Sequence, residues 1–421
     1  MNISTQRRID RWLGQVLCAL LSLAWRLSRF FQAAPARDDT RPPRVLIILL
    51  SEMGSVVLAG PMFAALQQRH PGAELHVLQL QRNQSVMQLL GFVPASHLHS
   101  VDDRSLWHLL ASLWRTTRTL RALRFDGVID CELFSRISAI LSLVSGARVR
   151  VGFTPHTQEG LYRGSFMNAA VPYNPYLHIT QQFLVLARVL SQGLALDDHA
   201  LHANPVLPRN KFDVPPLPAS LPPLALDALD LGNFRDRLHS DFPILRGTAS
   251  LVLLYVSGGA LPIRAWPEDR YVALAQALLA QGHAVGLIGL PEDKPQAQRV
   301  LAQCHHKHAI DLTGYTRHLR ELLMLFHCAR LLITNDGGPG HFASLTPIDA
   351  IAFFGPETSR LYGPINPRFT VMESATACSP CLTAYNHRDS FCDGDNRCLK
   401  SIGVEQVLQV ALTKLALGAH G

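Results

Sequence analysis

The chain reads as an α/β protein made of two doubly wound domains facing a cleft, preceded by an N-terminal amphipathic helix. Three observations predict this. Continuous apolar runs of strand length alternate with helical segments, the pattern of a parallel sheet covered on both faces. The alternation stops in a proline-rich stretch and then restarts. The 421 residues are 48% hydrophobic and 17% charged, enough for two cores and too apolar for a disordered chain.

The first 43 residues stand apart. Residues 1–44 hold eight arginines, no lysine and three aspartates, so most of the formal charge of +7 lies there. A nucleic-acid binder would spread basic charge over its folded surface, so no nucleic-acid partner is expected. The uncharged run from Trp12 to Trp25 is 14 residues, short of the roughly 20 that a spanning helix needs. Arginines flank it and a tryptophan sits at each end. This predicts a helix in the headgroup region of an anionic membrane surface; a core helix or a disordered leader is the plainer reading. Residues 34–43 read as a linker.

Strand runs follow at VLIILL (45–50), ELHVLQL (74–80), DGVIDCELF (126–134) and RVRVGF (148–153), with helical segments between them and a helix within 172–200. These define a first domain over 44–203. Residues 204–246 contain PVLP and VPPLPASLPPL and read as a connector with surface loops. A second domain over 247–403 has strands at SLVLLYVSGG (250–259), HAVGLIGL (283–290), RLLITND (330–336) and DAIAFFGP (349–356). A final helix covers 404–421. Sheets of this kind bind ligands beyond the carboxyl ends of their strands.

The strongest chemical signal is RLLITNDGGPGHFASLTPIDAIAFFGPETSRLYGP (330–364). A strand ends at Asp336, and Gly337, Gly338, Pro339 and Gly340 form a tight loop before His341 opens a short helix. Glycines let backbone approach a diphosphate, and the free amides of a helix start attract anions. His341 can donate to a phosphate or leaving-group oxygen. A second turn with Gly355 and Thr358 follows the next strand. The third element is Ser257-Gly258, then a loop carrying Arg264, a permanent cation suited to a departing phosphate. Two ordinary βα turns and a surface arginine are the competing reading.

These elements, in this order, resemble glycosyltransferase family 9, the heptosyltransferases of lipopolysaccharide synthesis. The resemblance runs from about 44 to 415. It rests on VLIILLSEMGSVV, DGVIDCELFSRISAILSLVSGARVRVGF, SGGALPIRAWPEDRYVALAQAL and ITNDGGPGHFASLTPIDAIAFFGPETSRLYGP. The family pattern D-[TG]-G-x-x-H is met by Asp336, Gly337, Gly338 and His341. The resemblance implies the GT-B architecture, two Rossmann-like domains, the first for acceptor and the second for nucleotide sugar. It also implies inverting, metal-independent transfer of a heptose or similar sugar from a nucleotide diphosphate donor, usually ADP-linked. The acceptor would be a membrane glycolipid, and the place the cytoplasmic face of the bacterial inner membrane. Glu292 occupies a position where relatives hold the donor's ribose or base.

The chain departs from the family at the general base. Many members read S-x-x-G-D in the first turn. Here Ser51, Met53 and Gly54 fit, but Ser55 replaces the aspartate. Glu52, in the same turn, is the nearest carboxylate and the candidate base, with Asp130 and Glu132 further candidates on the acceptor side. The missing aspartate keeps a non-catalytic nucleotide-sugar or glycan-binding protein in view, and the two-domain architecture keeps a nucleotide-sugar epimerase.

Cys378, Cys381, Cys392 and Cys398 are spaced C-x2-C-x10-C-x5-C, with His387 in the same loop. That spacing could hold structural zinc; thiols that brace the loop are the alternative. No cofactor is required by the chemistry. The run Cys304-His305-His306-Lys307-His308 reads as solvated rather than metal-binding.

Overall fold

The computed structural model describes residues 3–28, 41–50, 52–154, 162–197, 200–201, 210–259, 261–383 and 390–417. The chain divides into two compact units, Met1–Leu217 and Pro218–Gly421. The division falls inside the segment expected to connect two domains.

The first unit is built on β1 (Arg44–Leu49), β2 (Glu74–Leu80), β3 (Leu98–Val101), β4 (Gly127–Asp130), β5 (Val149–Phe153) and β6 (Ala169–Val171). All pair in parallel, in the order β3-β2-β1-β4-β5-β6. Its helices are α1 (Ile3–Ser28), α2 (Met53–Leu58), α3 (Gly60–Arg69), α4 (Gln84–Leu90), α5 (Leu106–Leu123), α6 (Arg136–Val144) and α7 (Ile179–Leu194). Val45 to Leu49 are fully buried, as an unbroken apolar strand must be when helices cover both faces. Ser105 and Ser135 start α5 and α6 by accepting from the amides of His108 and Ser138.

The second unit carries β7 (Leu251–Tyr255), β8 (Ala284–Gly289), β9 (Ala309–Thr313), β10 (Leu331–Asn335), β11 (Asp349–Phe354) and β12 (Phe369–Glu373). These too are parallel, in the order β12-β11-β10-β7-β8-β9. Counted from each unit's first strand, both sheets have the order 3-2-1-4-5-6 of a doubly wound nucleotide-binding fold. The strand order reverses between β1 and β4, and again between β7 and β10. Ligand chemistry is expected beyond the carboxyl ends of those pairs.

The second unit's helices are α8 (Ala228–Asp241), α9 (Glu268–Ala280), α10 (Lys294–Cys304), α11 (Leu319–Cys328), α12 (Gly338–Ala343), α13 (Ser359–Tyr362), α14 (Arg397–Lys400) and α15 (Val404–Leu417). Helix α8 lies within 204–246, the segment read as a connector with surface loops. Asp227 nucleates it by accepting from the amides of Leu229 and Asp230, and Arg237 ties it to Glu321 of α11 at 2.9 Å. The leader forms the expected helix, and α1 packs on α6.

Where β2 meets the edge strand β3, three imidazoles stack. His76 is buried, its ring 4.0 Å from that of His97 and 5.3 Å from that of His99. Its Nδ1 lies 3.1 Å from Nε2 of His99. Burial pushes the His76 pKa down from 6.5 to about 4, and His97 and His99 add to the effect. The unfolded chain therefore takes up a proton here that the folded chain refuses, so stability falls as pH drops from 6.5 towards 4. In His76→Phe, the acid loss of thermal midpoint over that window is expected to shrink, as scanning calorimetry across pH can check.

Candidate active site

The second unit gathers its chemistry around Asn335, the last residue of β10. Asn335 is fully buried. Its side-chain oxygen accepts from the Trp266 amide at 2.9 Å and the Tyr271 hydroxyl at 3.0 Å. Its side-chain amide donates to the carbonyls of Tyr255 and Ser257, at 3.2 and 3.0 Å. One side chain thus locks the ends of β7 and β10 to the start of α9.

On this frame sit four buried functional groups: Arg264, Asp336, His341 and Glu357. Arg264 ends the short turn Pro262–Arg264. Its Nε is 3.3 Å from Asp336 Oδ2, and its Nη2 is 3.8 Å from Glu357 Oε1. Sequence reasoning had Arg264 projecting from a loop. The structure corrects that: it is a buried cation shared by two carboxylates. An incoming phosphate would share this guanidinium with the two carboxylates that already hold it. The sequence signal for Glu357 is a carboxylate straight after a strand-ending Gly-Pro.

The glycines divide by task. Helix α12 begins at Gly338 with Gly337 as its cap, so His341 lies in the helix rather than opening it. Pro339 has no amide, which leaves this first turn the amides of Gly338 and Gly340 to offer an anion. At Gly258 a Cβ would stand 2.6 Å from the Leu261 carbonyl, so only glycine permits the turn. At Gly355 a Cβ would meet Cys398 Sγ at 2.9 Å; that glycine serves close packing of the cysteine loop. Ser257 Oγ accepts from the Gly259 amide, and Thr358 caps α13. Glu292 is exposed in the turn after β8.

In the first unit, Ser51 lies outside the described residues. Glu52 is exposed and extended, immediately before α2, and its carbonyl accepts from the Ser55 amide at 3.0 Å. Gly54 is buried and Ser55 half-buried inside α2. The Glu132 carboxylate accepts from the Leu50 amide at 2.7 Å. The carboxyl ends of β1 and β4 therefore bring two glutamates to the first turn.

Asp130 goes elsewhere, which corrects its assignment to the acceptor side. It is fully buried, ion-paired to Arg163, and accepts from the Ser138 hydroxyl and the Glu132 amide, each at 3.0 Å. Burial raises its pKa, against the pull of Arg163 and these two donors. Arg163 also donates to the carbonyls of Glu132 and Ser135. The pair braces the loop that carries Glu132. Asp130→Asn strands the guanidinium, and the expected loss is about 3–5 kcal/mol of folding stability, readable by urea unfolding.

Cys378 and Cys392 are exposed, Cys381 is partly buried, Cys398 is buried, and all four are free thiols. Burial pushes the Cys398 thiol up, and the other three cysteines push the same way. Cys398 Sγ lies 3.3 Å from Asn396 Oδ1, and Cys381 Sγ lies 3.1 Å from Ser390 Oγ. Among the described residues, no three His, Cys, Asp or Glu side chains are grouped so that they could hold a metal ion. His387 lies outside the described residues.

Comparison with known proteins fits this geometry. The profile of Glycosyltransferase family 9 (heptosyltransferase) matches residues 113–390. Lipooligosaccharide heptosyltransferase 2 of Haemophilus ducreyi is 24% identical over 329 residues, covering 76% of this chain and 85% of that protein. Its namesake in Haemophilus influenzae is 30% identical over 114 residues, covering 26% of this chain and 33% of that protein. The solved structure of the Escherichia coli ADP-heptose lipopolysaccharide heptosyltransferase II superposes with a TM-score of 0.65 at 18% identity, covering 89% of this chain and 99% of that one. The chain belongs to glycosyltransferase family 9, the heptosyltransferase family, and is a glycosyltransferase of the GT-B fold.

Proposed function

We propose that the chain transfers a heptose or similar sugar from an ADP-linked donor to a lipopolysaccharide-type membrane glycolipid, with inversion at the anomeric carbon. The observation that carries this is the buried group of Arg264, Asp336, Glu357 and His341 beyond β7, β10 and β11. The E. coli relative is named for ADP-heptose and lipopolysaccharide, which supports reading this chain's second unit as the seat of the same class of donor.

The steps follow from charge. The acceptor hydroxyl attacks the anomeric carbon and loses its proton to a carboxylate of the first unit, while the bond to the diphosphate breaks. Glu52 is the base in this reading. It is exposed at the first turn, where Ser55 stands in the place of the family's aspartate. Glu132 is the second carboxylate there, pinned by the Leu50 amide. Negative charge grows on the leaving nucleotide, where Arg264 and the amides of Gly338 and Gly340 would meet it. His341 would donate to a leaving oxygen. Ser257, Gly258 and Thr358 would shape the donor's seat, and Glu292 would contact its ribose or base. The acceptor is lipid-anchored, so the chain would work at an anionic membrane surface, on the cytoplasmic face of the inner membrane.

The test is to incubate the protein with ADP-heptose and a heptose-deficient lipopolysaccharide acceptor, then weigh the acceptor by mass spectrometry. One added heptose per ADP released is expected. Donor binding without either product would point to the non-catalytic alternative. Altered sugar released without acceptor would point to epimerase chemistry.

A further inference from the structure

We infer that the exposed face of α1 is a docking surface for an anionic bilayer, held rigidly on the first unit at the end where the acceptor carboxylates sit. This deepens the membrane-glycolipid reading above and rests on it for the reason a bilayer is present.

One face of α1 is keyed into the unit. The Asp10 carboxylate accepts from the amides of Arg136 and Ile137, each at 3.0 Å, capping the first turn of α6. Gly14 lies flat on Arg136, where a Cβ would come within 2.9 Å of that side chain. Cys18 packs with Ala139 and Phe166. Ser22 Oγ accepts from the Ser165 amide at 3.0 Å and the Tyr162 hydroxyl at 3.2 Å. The Arg150 guanidinium lies over the Trp25 ring at 4.3 Å. Positions 10, 14, 18, 22 and 25 recur at helical spacing, so they form a single stripe.

A second face, between Trp12 and Leu27, is apolar and exposed. Trp12 is 74% exposed and Leu20 60%, and Leu13, Val16, Leu23 and Leu27 are each more than half exposed. A row of this length is unusual on a surface that faces only water. No helix among the described residues is long and apolar enough to cross a membrane. A helix with such a face and cationic flanks lies in the interface plane.

Charge selects the occupant. The same segment carries arginines at 7, 8, 11, 26 and 29. A second copy would bring those charges against themselves, whereas anionic headgroups complement them. Direction then links docking to function. Helix α6 follows the loop after β4, and Asp10 reaches its first turn. The N-terminal part of α1 is therefore at the carboxyl end of β4, the end that carries Glu132, whose carboxylate holds the Leu50 amide two residues before Glu52. A bilayer bound to α1 would hold a lipid-anchored acceptor close to those carboxylates.

The test uses the full chain in vesicle co-sedimentation. Binding to phosphatidylglycerol–phosphatidylethanolamine vesicles is expected, weaker on phosphatidylcholine alone and weaker in high salt. Leu20→Glu with Leu23→Glu should weaken binding about tenfold or more, with the thermal midpoint and ADP binding unchanged, because both side chains face solvent. Equal vesicle binding by the double variant would overturn the inference. So would absence of vesicle binding by the native chain, including the case where light scattering shows a dimer that the double variant dissociates. Vesicle binding lost in the double variant, in a protein that transfers no sugar, would sink the catalytic reading and leave this one standing.

Discussion

Replacing Arg264 with alanine is expected to lower kcat/KM for the sugar donor by about 10²- to 10³-fold. In the proposed reading this guanidinium faces the charge that grows on the departing diphosphate, and nothing else in the second unit's buried group is permanently cationic. The same change should also destabilise the fold. Without the arginine, Asp336 and Glu357 lose its guanidinium, and breaking a buried pair costs about 3–5 kcal/mol. The two losses separate experimentally. Arg264→Lys keeps the charge and should recover most of the thermal midpoint, but a point charge cannot span both carboxylates and a phosphate as the planar fork does. Its midpoint by calorimetry should therefore recover further than its rate of ADP release. If Arg264→Ala turns over donor at the native rate, the arginine has only a structural role.

Glu52→Gln should reduce kcat by about 10²- to 10⁴-fold, the usual contribution of a general base, while leaving the donor KM and the thermal midpoint nearly unchanged. The stability expectation follows from exposure, since Glu52 lies at the surface ahead of α2. Glu132→Gln makes the contrast. Its carboxylate holds the Leu50 amide, so its loss should appear in stability first. Steady-state rates of both variants with a saturating acceptor decide between them. A native kcat for Glu52→Gln beside a collapsed kcat for Glu132→Gln would move the base across the turn to the end of β4.

How much of this was legible in the sequence depended on where an element lies in its sheet. The strands that sequence reasoning found, including β1, β2, β4, β5, β7, β8, β10 and β11, are all interior to their sheets. Buried on both faces, they appear as continuous apolar runs. The four it missed are β3, β6, β9 and β12, and each is a sheet edge. An edge strand has less to bury: β3 and β12 each have a single buried position, and β6 has only three residues. Helix α8 was hidden by the prolines before it, although Asp227 was a readable cap.

The site shows the same divide. Glycine turns at strand ends were legible because their requirement is local. Partnerships were not. Asp130 looked like a strand-end acid available to an acceptor, and only the fold shows Arg163 closing over it from a later loop. Asn335 looked like an ordinary strand residue, and only the fold shows it bonded to β7 and to the start of α9. Arg264 stands out in the sequence as a loop cation, but its two carboxylate partners come from the ends of β10 and β11.

The central claim is that the buried group of the second unit holds a nucleoside diphosphate, and calorimetric titration with ADP tests it most directly. The native chain and Glu52→Gln should bind ADP with equal affinity, and Arg264→Ala, kept at a temperature where it is folded, should bind at least about tenfold more weakly. Equal ADP affinity in the native chain and Arg264→Ala would contradict the account.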